Sequence, residues 1–451
     1  MTTVRRQLLD MVLEPDAYNR NPKDIYPMQL EAARALFAER REQISVLRRR
    51  AEESGVGEIR SFADLVPLLF SHTVYKSYPP SFVEQGRWDR MLQWLKTLSV
   101  NDPTGVDVTG VTNVDEWIER LGAAGHRLLA TSGSSGKCSF LNATPGDYEL
   151  KKRHFAHTLG FPWLRPNRDR PVFMLTPSTG PNSAIEAMII GAEAWGRPGS
   201  IWFLTDEPLR ISEVSAMAAL RKRMQEGLAT PGEIAGFERE SADTARRMQA
   251  AMHALCDTIL QHRHEPIVLS GLWAQHMMII ARARELGIKD GDFHPKSHIS
   301  AGGGVKGVAL PPDYKEQVDR FYGAVHRGTG YGMTEQAQVM PRCEKLRYHV
   351  PPGLIMLLLD QPGEQLIARE PGSGGVVEGR YGFLDLLYDG RWGGLISGDR
   401  IHVDYAERCP CGRYGPTILD DIVRYAQVGS GDDHIGCAGT IDSYVRGAMN
   451  E

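Results

Sequence analysis

Between Pro27 and Gly55 the apolar positions Leu36, Phe37, Ile44 and Leu47 recur at helical spacing, and the run stops at glycine. This predicts one long amphipathic helix. SYPPSF (Ser77–Phe82) interrupts the pattern with two prolines, and DRMLQWLKTLS (Asp89–Ser99) resumes it. Residues 1–120 therefore read as a mainly helical N-terminal region. From 121 onward apolar runs alternate with Gly/Pro loops and helical stretches. PVFMLTP (Pro171–Pro177) and SIWFL (Ser200–Leu204) have the length of buried strands, and SAIEAMIIGAEAWG (Ser183–Gly196) between them reads as a helix. In TARRMQAAMHALCDTILQHRH (Thr244–His264), Met248, Met252, Leu255 and Ile259 form one stripe. That stripe is core, and Cys256 faces it. PIVLSG, SHISAGGG and AVHRGTGYG each run from a strand signal into glycine. Such alternation predicts an α/β fold with functional loops at strand ends.

The totals narrow the class. A chain of 451 residues, 42% hydrophobic and 24% charged, is an ordinary globular protein of more than one packed unit. A net charge of −4 lacks the basic surplus of a nucleic-acid or anionic-membrane binder. The run Arg48-Arg49-Arg50 is followed by Glu52 and Glu53 and reads as a solvated helix face. No window reaches the roughly 18 apolar residues of a spanning helix. MTTVRRQLLDMVLEPD has no apolar h-region, so no signal peptide is read. Six cysteines are too sparse for a disulfide scaffold, which makes a reducing cytoplasm the default.

The chemistry concentrates in four passages. LLATSGSSGKCSF (Leu128–Phe140) places Thr131, Ser132, Gly133, Ser134, Ser135 and Gly136 directly before Lys137. Small residues expose backbone N–H groups and the lysine adds a point charge, as a phosphate cradle requires. The P-loop template G-x-x-x-x-G-K-[ST] fails, because only two residues separate Gly133 from Gly136 and Cys138 follows the lysine. AGGGVKG supplies Gly302, Gly303 and Gly304, and with Gly307 it satisfies G-x-G-x-x-G. The helix that a dinucleotide fold needs is delayed to about Asp313, so a tight turn is the better reading. GYGMTEQ (Gly330–Gln336) joins a ring, Tyr331, to Gly332, the hydroxyl of Thr334 and the carboxylate of Glu335. These residue types suit base stacking, phosphate and Mg²⁺. GGLISGDRIHVD places Asp399 at the entrance to an alternating strand.

In this order the passages resemble the adenylate-forming superfamily of acyl-CoA synthetases. TSGSSGK resembles its phosphate loop, YGMTE its adenine and magnesium motif, and SGD its ribose-binding aspartate. SAGGGVKG, YGMTEQ and CEKLRYHVP resemble the acyl-protein synthetases of bacterial bioluminescence, and CPCGR resembles phenylacetate–CoA ligases. The likeness runs from about residue 60 to the end; Cys138 stands where the family commonly has proline. The resemblance implies the large N-terminal domain of the adenylate-forming fold, mixed sheets flanked by helices, over 121–438. It implies that a carboxylic acid attacks the α-phosphate of ATP, giving an acyl adenylate and pyrophosphate, before acyl transfer to a thiol or amine. Loop amides, Ser134, Ser135 and Lys137 would clamp the leaving phosphates. Glu335 would hold Mg²⁺ with Thr334 beside it; Tyr331 and Gly302–Gly304 would hold adenine, and Asp399 the ribose. Acid-pocket residues would come from STGPNSAIEAM and SGLWAQHMM, with Trp273 and the methionines suiting an apolar substrate. A conventional acid–CoA ligase helped by a partner domain, or a non-catalytic nucleotide-binding scaffold, are the competing expectations.

Cys343, His349, Cys409 and Cys411 offer three thiolates and one imidazole, a closed set suited to structural zinc. The alternative is unrelated cysteines, one packed as a small hydrophobe. Relatives of both kinds carry Cys, His and C-x-C in corresponding places, which favours zinc. GTIDSYVRG (Gly439–Gly447) resembles the family's hinge, leaving 439–451 as a stub with the C-terminal mobile domain largely missing. Acyl transfer would then need an acyl-accepting partner protein or an internal thiol, for which Cys437 is the positional match.

Overall fold

The computed structural model describes residues 1–131, 137–303, 309–428 and 435. Ser132–Gly136, Gly304, Cys437 and the hinge-like stub 439–451 lie outside the described residues. Packing divides the chain into two units. One comprises Met1–Thr131, Lys137–Thr158 and Gly330–Glu451, the other Ser132–Gly136 and Leu159–Thr329. The helical N-terminal residues thus pack within the same unit as the chain after Gly330.

In the first unit, α1 (Thr3–Asp10), α2 (Pro22–Gln43) and α3 (Ser45–Ser54) lead to strand β1 (Phe70–Ser71). Next come α4 (Pro80–Glu84), α5 (Trp88–Thr97) and α6 (Val114–Ala123). The single long helix expected up to Gly55 is in fact two. The break falls at Ile44, which is extended (φ −112°, ψ 108°) and fully buried. Core packing of this β-branched side chain overrides helical continuity. Gly55 ends α3 in the left-handed conformation that glycine favours (φ 71°). The three arginines are not one solvated face, because Arg50 is buried. β2 (Arg127–Ala130) and β3 (Phe140–Ala143) pair antiparallel, and α7 (Pro145–Leu159) follows.

In the second unit the parallel strands are β4 (Arg170–Pro177), β5 (Gly196–Thr205), β6 (Val268–Leu272), β7 (His298–Gly302) and β8 (His326–Arg327). Their order is β5-β4-β6-β7-β8. The connecting helices are α8 (Ser183–Trp195), α9 (Ile211–Gln225), α10 (Pro231–Gln261), α11 (Trp273–Glu285) and α12 (Tyr314–Tyr322). The Met252/Leu255/Ile259 stripe and Cys256 are buried against Phe173, Leu175, Leu269 and Ile299, as the helical period predicts.

The first unit continues with a hairpin of β9 (Gly330–Tyr331) and β10 (Met340–Pro341), then β11 (Arg347–His349) and β12 (Leu354–Leu359). It ends with β13 (Val376–Asp385), β14 (Gly394–Asp404), β15 (Thr417–Leu419), β16 (Val423–Arg424) and α13 (Tyr425–Val428). A sheet of order β11-β15-β14-β13-β12 results, with β1 and β16 also on β14. Asp399 lies inside β14 rather than at a strand entrance. No helix among the described residues is long and apolar enough to cross a membrane.

Candidate active site

The Thr334–Glu335 turn of the first unit is held by a buried acid. Asp385, at the end of β13, accepts from the Ala337 and Gln338 amides at 2.7 and 3.1 Å. It also accepts from Gln338 Nε2 at 2.8 Å and from the Leu387 amide at 3.0 Å. Tyr381, on the same strand, donates to Gln336 Oε1 at 2.8 Å. From the other side, Arg391 donates to the Glu335 carbonyl at 2.9 Å and to the Asn142 carbonyl at 3.1 Å. Its guanidinium lies 3.7 Å from the Tyr388 ring centroid and 5.4 Å from that of Tyr75. Arg391 is fully buried, and no carboxylate among the described residues pairs with it.

The Glu335 carboxylate, half-buried, finds no donor among the described residues beyond its own amide. Burial raises its pKa above the ordinary carboxylate range, against the lowering fields of Arg391 and Arg424. A carboxylate left without a cation suits a divalent metal held by oxygen ligands. Nearby, Tyr331 donates its hydroxyl to Asp399 Oδ2 at 2.7 Å, while Arg424 Nε is 3.4 Å from Asp399 Oδ1. Desolvation, and then the Asp399 charge, keep the Tyr331 phenol protonated. Gly332 is exposed, and a Cβ there would sit 3.2 Å from Val339.

In sequence the glycine-serine loop joins β2 to β3. The pairing of the two strands is extended by the Thr131 amide on the Ser139 carbonyl (3.1 Å) and the Ser139 amide on Thr131 Oγ1 (2.8 Å). Lys137 donates to the Tyr78 carbonyl and lies 4.2 Å from that ring's centroid; Tyr78 donates to the Cys138 carbonyl at 2.9 Å. Tyr75 and Tyr78, three residues apart, thus contact Arg391 and Lys137 respectively. The structure therefore brings Tyr331, Glu335 and Asp399 into one electrostatic neighbourhood, with Thr131 and Lys137 flanking the loop that joins β2 to β3 in sequence. Gly302 and Gly303 belong to the second unit, at the end of β7, where Gly303 takes a positive φ of 81°. Of the acid-pocket stretches, Ala187, Met188 and Ser270 line a small cavity of the second unit. Trp273 and Met277 instead pack on the core, and Met278 is exposed. Sequence reading missed Asp385, Arg391, Tyr75 and Arg424; the one signal was charge inside the apolar runs that end β13 and precede β14.

Cys343, His349, Cys409 and Cys411 come together, with all ligand atoms within 4.8 Å of one another. Two similar turns present them. The Cys343 amide donates to the Arg347 carbonyl and the Leu346 amide to the Cys343 carbonyl. Cys409 repeats this with Arg413 and Gly412. The turn residues Leu346 and Gly412 have positive φ, 57° and 89°. A tetrahedron with Zn–S of about 2.3 Å and Zn–N of about 2.05 Å would set S···S near ~3.8 Å and S···N near ~3.6 Å. The observed Cys343–Cys409 and Cys411–His349 separations are 3.9 and 3.5 Å. Hydrogen bonding with Cys409, and then with His349, draws the Cys343 thiol well below its ordinary value. The donor set fits zinc.

No family model matches the sequence, and no curated protein matches it. Solved structures do match in fold. 2-Hydroxyisobutyryl-CoA ligase in an open conformation with 2-HIB-AMP and CoA aligns with a TM-score of 0.57 at 12% identity, over 90% of this chain and 71% of that one. Its postadenylation state with R3-HIB-AMP gives 0.55 at 12% identity, over 92% and 73%. Its thioesterification state with 2-HIB-AMP and CoA gives 0.53 at 13%, over 91% and 70%. With its mixed α/β architecture and helix-flanked sheets, this chain has the fold of the adenylate-forming acyl-CoA ligases.

Proposed function

We propose that this chain is an ATP-dependent ligase that activates a carboxylic acid as its acyl adenylate, releasing pyrophosphate, and passes the acyl group to a thiol or amine. The observation that carries the reading is the Glu335 carboxylate, without a donor among the described residues beyond its own amide, on a turn whose backbone Asp385 and Arg391 fix beside the Tyr331–Asp399 pair. A bond between the acid's carboxylate and the α-phosphorus forms as the bond to pyrophosphate breaks, so catalysis is positioning and charge neutralisation. Mg²⁺, held by Glu335, would offset charge at the α-phosphate. Asp399 would accept from the ribose hydroxyls in place of the Tyr331 hydroxyl, and the ring of Tyr331 would face adenine. Lys137 and the glycine-serine loop before it would hold the leaving phosphates. Zinc on the four-residue cluster would tie the turn after β10 to the turn after β14.

The neighbouring ligase, bound to an acyl-AMP and CoA, supports a thiol acceptor. The narrower likeness to acyl-protein synthetases or phenylacetate–CoA ligases rests on the sequence passages alone, as does any role of Cys437 or an acceptor protein. Acid-dependent exchange of labelled pyrophosphate into ATP, over a panel of acids with Mg²⁺, tests the reading. Exchange with at least one acid is expected, and none with any acid would reject it.

A further inference from the structure

The sheet of the first unit ends at β12, and a cavity of about 430 Å³ lies against that strand. It has room for roughly a dozen water-sized groups. The five consecutive residues 354–358 all line it, so it runs along the edge of β12 and not over one face. Tyr26 of α2, Phe62, Leu366 and Tyr405 complete the walls. Ala368, Arg369 and Glu370 are exposed on its rim, so the cavity opens to solvent. Backbone bonds fix this rim. The Ile367 amide donates to the Leu358 carbonyl at 2.8 Å, and the Gly372 and Gly374 amides donate to the Tyr405 carbonyl at 3.0 and 3.1 Å.

Along this cavity the strand edge is capped at two points and open between them. The Leu386 amide on the Gly353 carbonyl (3.0 Å) sets the phase of the ladder. Gly353, Ile355 and Leu357 therefore bond to β13, while Leu354, Met356 and Leu358 turn their backbone groups outward. The Leu354 carbonyl accepts from Gln29 Nε2 at 3.2 Å, and its amide donates to the Pro351 carbonyl at 3.0 Å. The Leu358 carbonyl is taken by Ile367. Between them the half-buried Met356 has neither its N–H nor its C=O partnered among the described residues. The hydroxyls of Tyr26 and Tyr405 also have no partner among these residues, although Tyr405 is only 5% exposed. Burial, then the fields of Tyr405 and Glu370, raises the Tyr26 phenol; burial, against the field of Arg369, pushes Tyr405 up to about 12. Both phenols therefore keep their protons. The charged lining favours neither sign: Arg369 and Glu370 share the rim, and Arg20 is taken up by Glu14 and Asp16. An open N–H and C=O on one residue call for one acceptor and one donor at strand spacing. A secondary amide supplies both, and a carboxylate or a hydrocarbon does not. Ile25, Phe62, Leu354 and Leu366 suit apolar groups on either side of it.

We infer that the edge of β12 at Met356 binds a short extended peptide with apolar side chains, which adds to the strand over a single residue pair. This site stands whether or not the chain adenylates an acid. Calorimetric titration of N-acetylated, C-amidated tripeptides of leucine, valine or phenylalanine into the full chain tests it. At least one of them should bind with a Kd below about 1 mM. Replacing its amides by esters one at a time should weaken binding at least ~5-fold at one position, the scale of one neutral hydrogen bond. Met356→Pro removes an outward N–H at a sheet edge, where proline is tolerated, and should weaken the amide peptide at least ~5-fold. The ester series on the unaltered chain carries the test if that variant does not fold. No binding by any of the three peptides overturns the inference. Equal binding of every ester and its parent amide, as a hollow that takes any small apolar molecule would give, overturns it too, as does full binding by folded Met356→Pro. A dimer in analytical ultracentrifugation that Met356→Pro dissolves would give the edge to a second copy of the chain and overturn the peptide reading.

Discussion

Asp385 Oδ1 accepts a hydrogen bond from Gln338 Nε2 at 2.8 Å, with both side chains buried. Through this pair β13 grips the segment that follows Glu335, and two more backbone amides of that segment or its neighbours converge on Oδ2. Asp385→Ala strands four donors in the interior. We expect a loss of about 3–5 kcal/mol in urea unfolding, since each stranded donor forfeits its desolvation. Any exchange activity should fall with it at temperatures where the variant is still folded. Unchanged stability would mean that the turn is held by other contacts.

Glu335→Gln should separate stability from catalysis. The folded-state pKa of Glu335 is raised, so its contribution to stability is full below the ordinary carboxylate value and is lost as pH rises through the raised one. At neutral pH the wild type therefore carries an ionised group in a site that disfavours it. The glutamine variant should melt at a higher temperature at pH 7, with the gain shrinking towards pH 4. Its acid-dependent exchange should drop by at least ~100-fold, the scale of one lost charge stabiliser. Lys137→Ala should show the same loss of exchange without the gain in melting temperature.

Two buried histidines of the second unit predict acid sensitivity. Burial pushes His276 down to about 4 and His298 down to about 3, whereas both titrate near 6.5 when unfolded. Between those values the unfolded chain binds more protons, so stability rises with pH and is lost as pH falls below about 6.5. Each should cost about 1 kcal/mol at pH 5.5 relative to pH 7.5. Denaturant midpoints measured across this range should decline, and His298→Leu should flatten the decline by about half.

Metal content tests the cysteine cluster. Protein purified without chelators should carry about one zinc per chain by elemental analysis, and Cys409→Ser should retain less than a tenth of it. Removing the metal should lower the melting temperature by several degrees, because binding energy at a closed site is folding energy. A metal-free wild type of undiminished stability would exclude a structural zinc.

Much of this was legible in the chain because it depends on local pattern. The Met252/Leu255/Ile259 stripe predicted the buried face of α10, since helical period and burial coincide there. Strand-length apolar runs between glycines located β4, β6 and β7. The C-x-C pair and the upstream Cys and His were readable because metal ligands are limited to a few residue types, and their convergence requires only that β11 and β15 pair, as His349 and Thr417 do. The break at Ile44 was not readable, because helical spacing continues through it while the core demands an extended residue. Nor were Asp385, Arg391 or His298. A polar residue in an apolar strand looks alike in sequence whether it meets solvent, a partner or nothing. Its role depends on which distant chain covers it: Ala337 and Gln338 for Asp385, the Glu335 carbonyl for Arg391, α8 and Gly328 for His298. Residue type and spacing set the elements and the available chemistry; long-range packing decided which polar groups were satisfied and which were left open for a ligand.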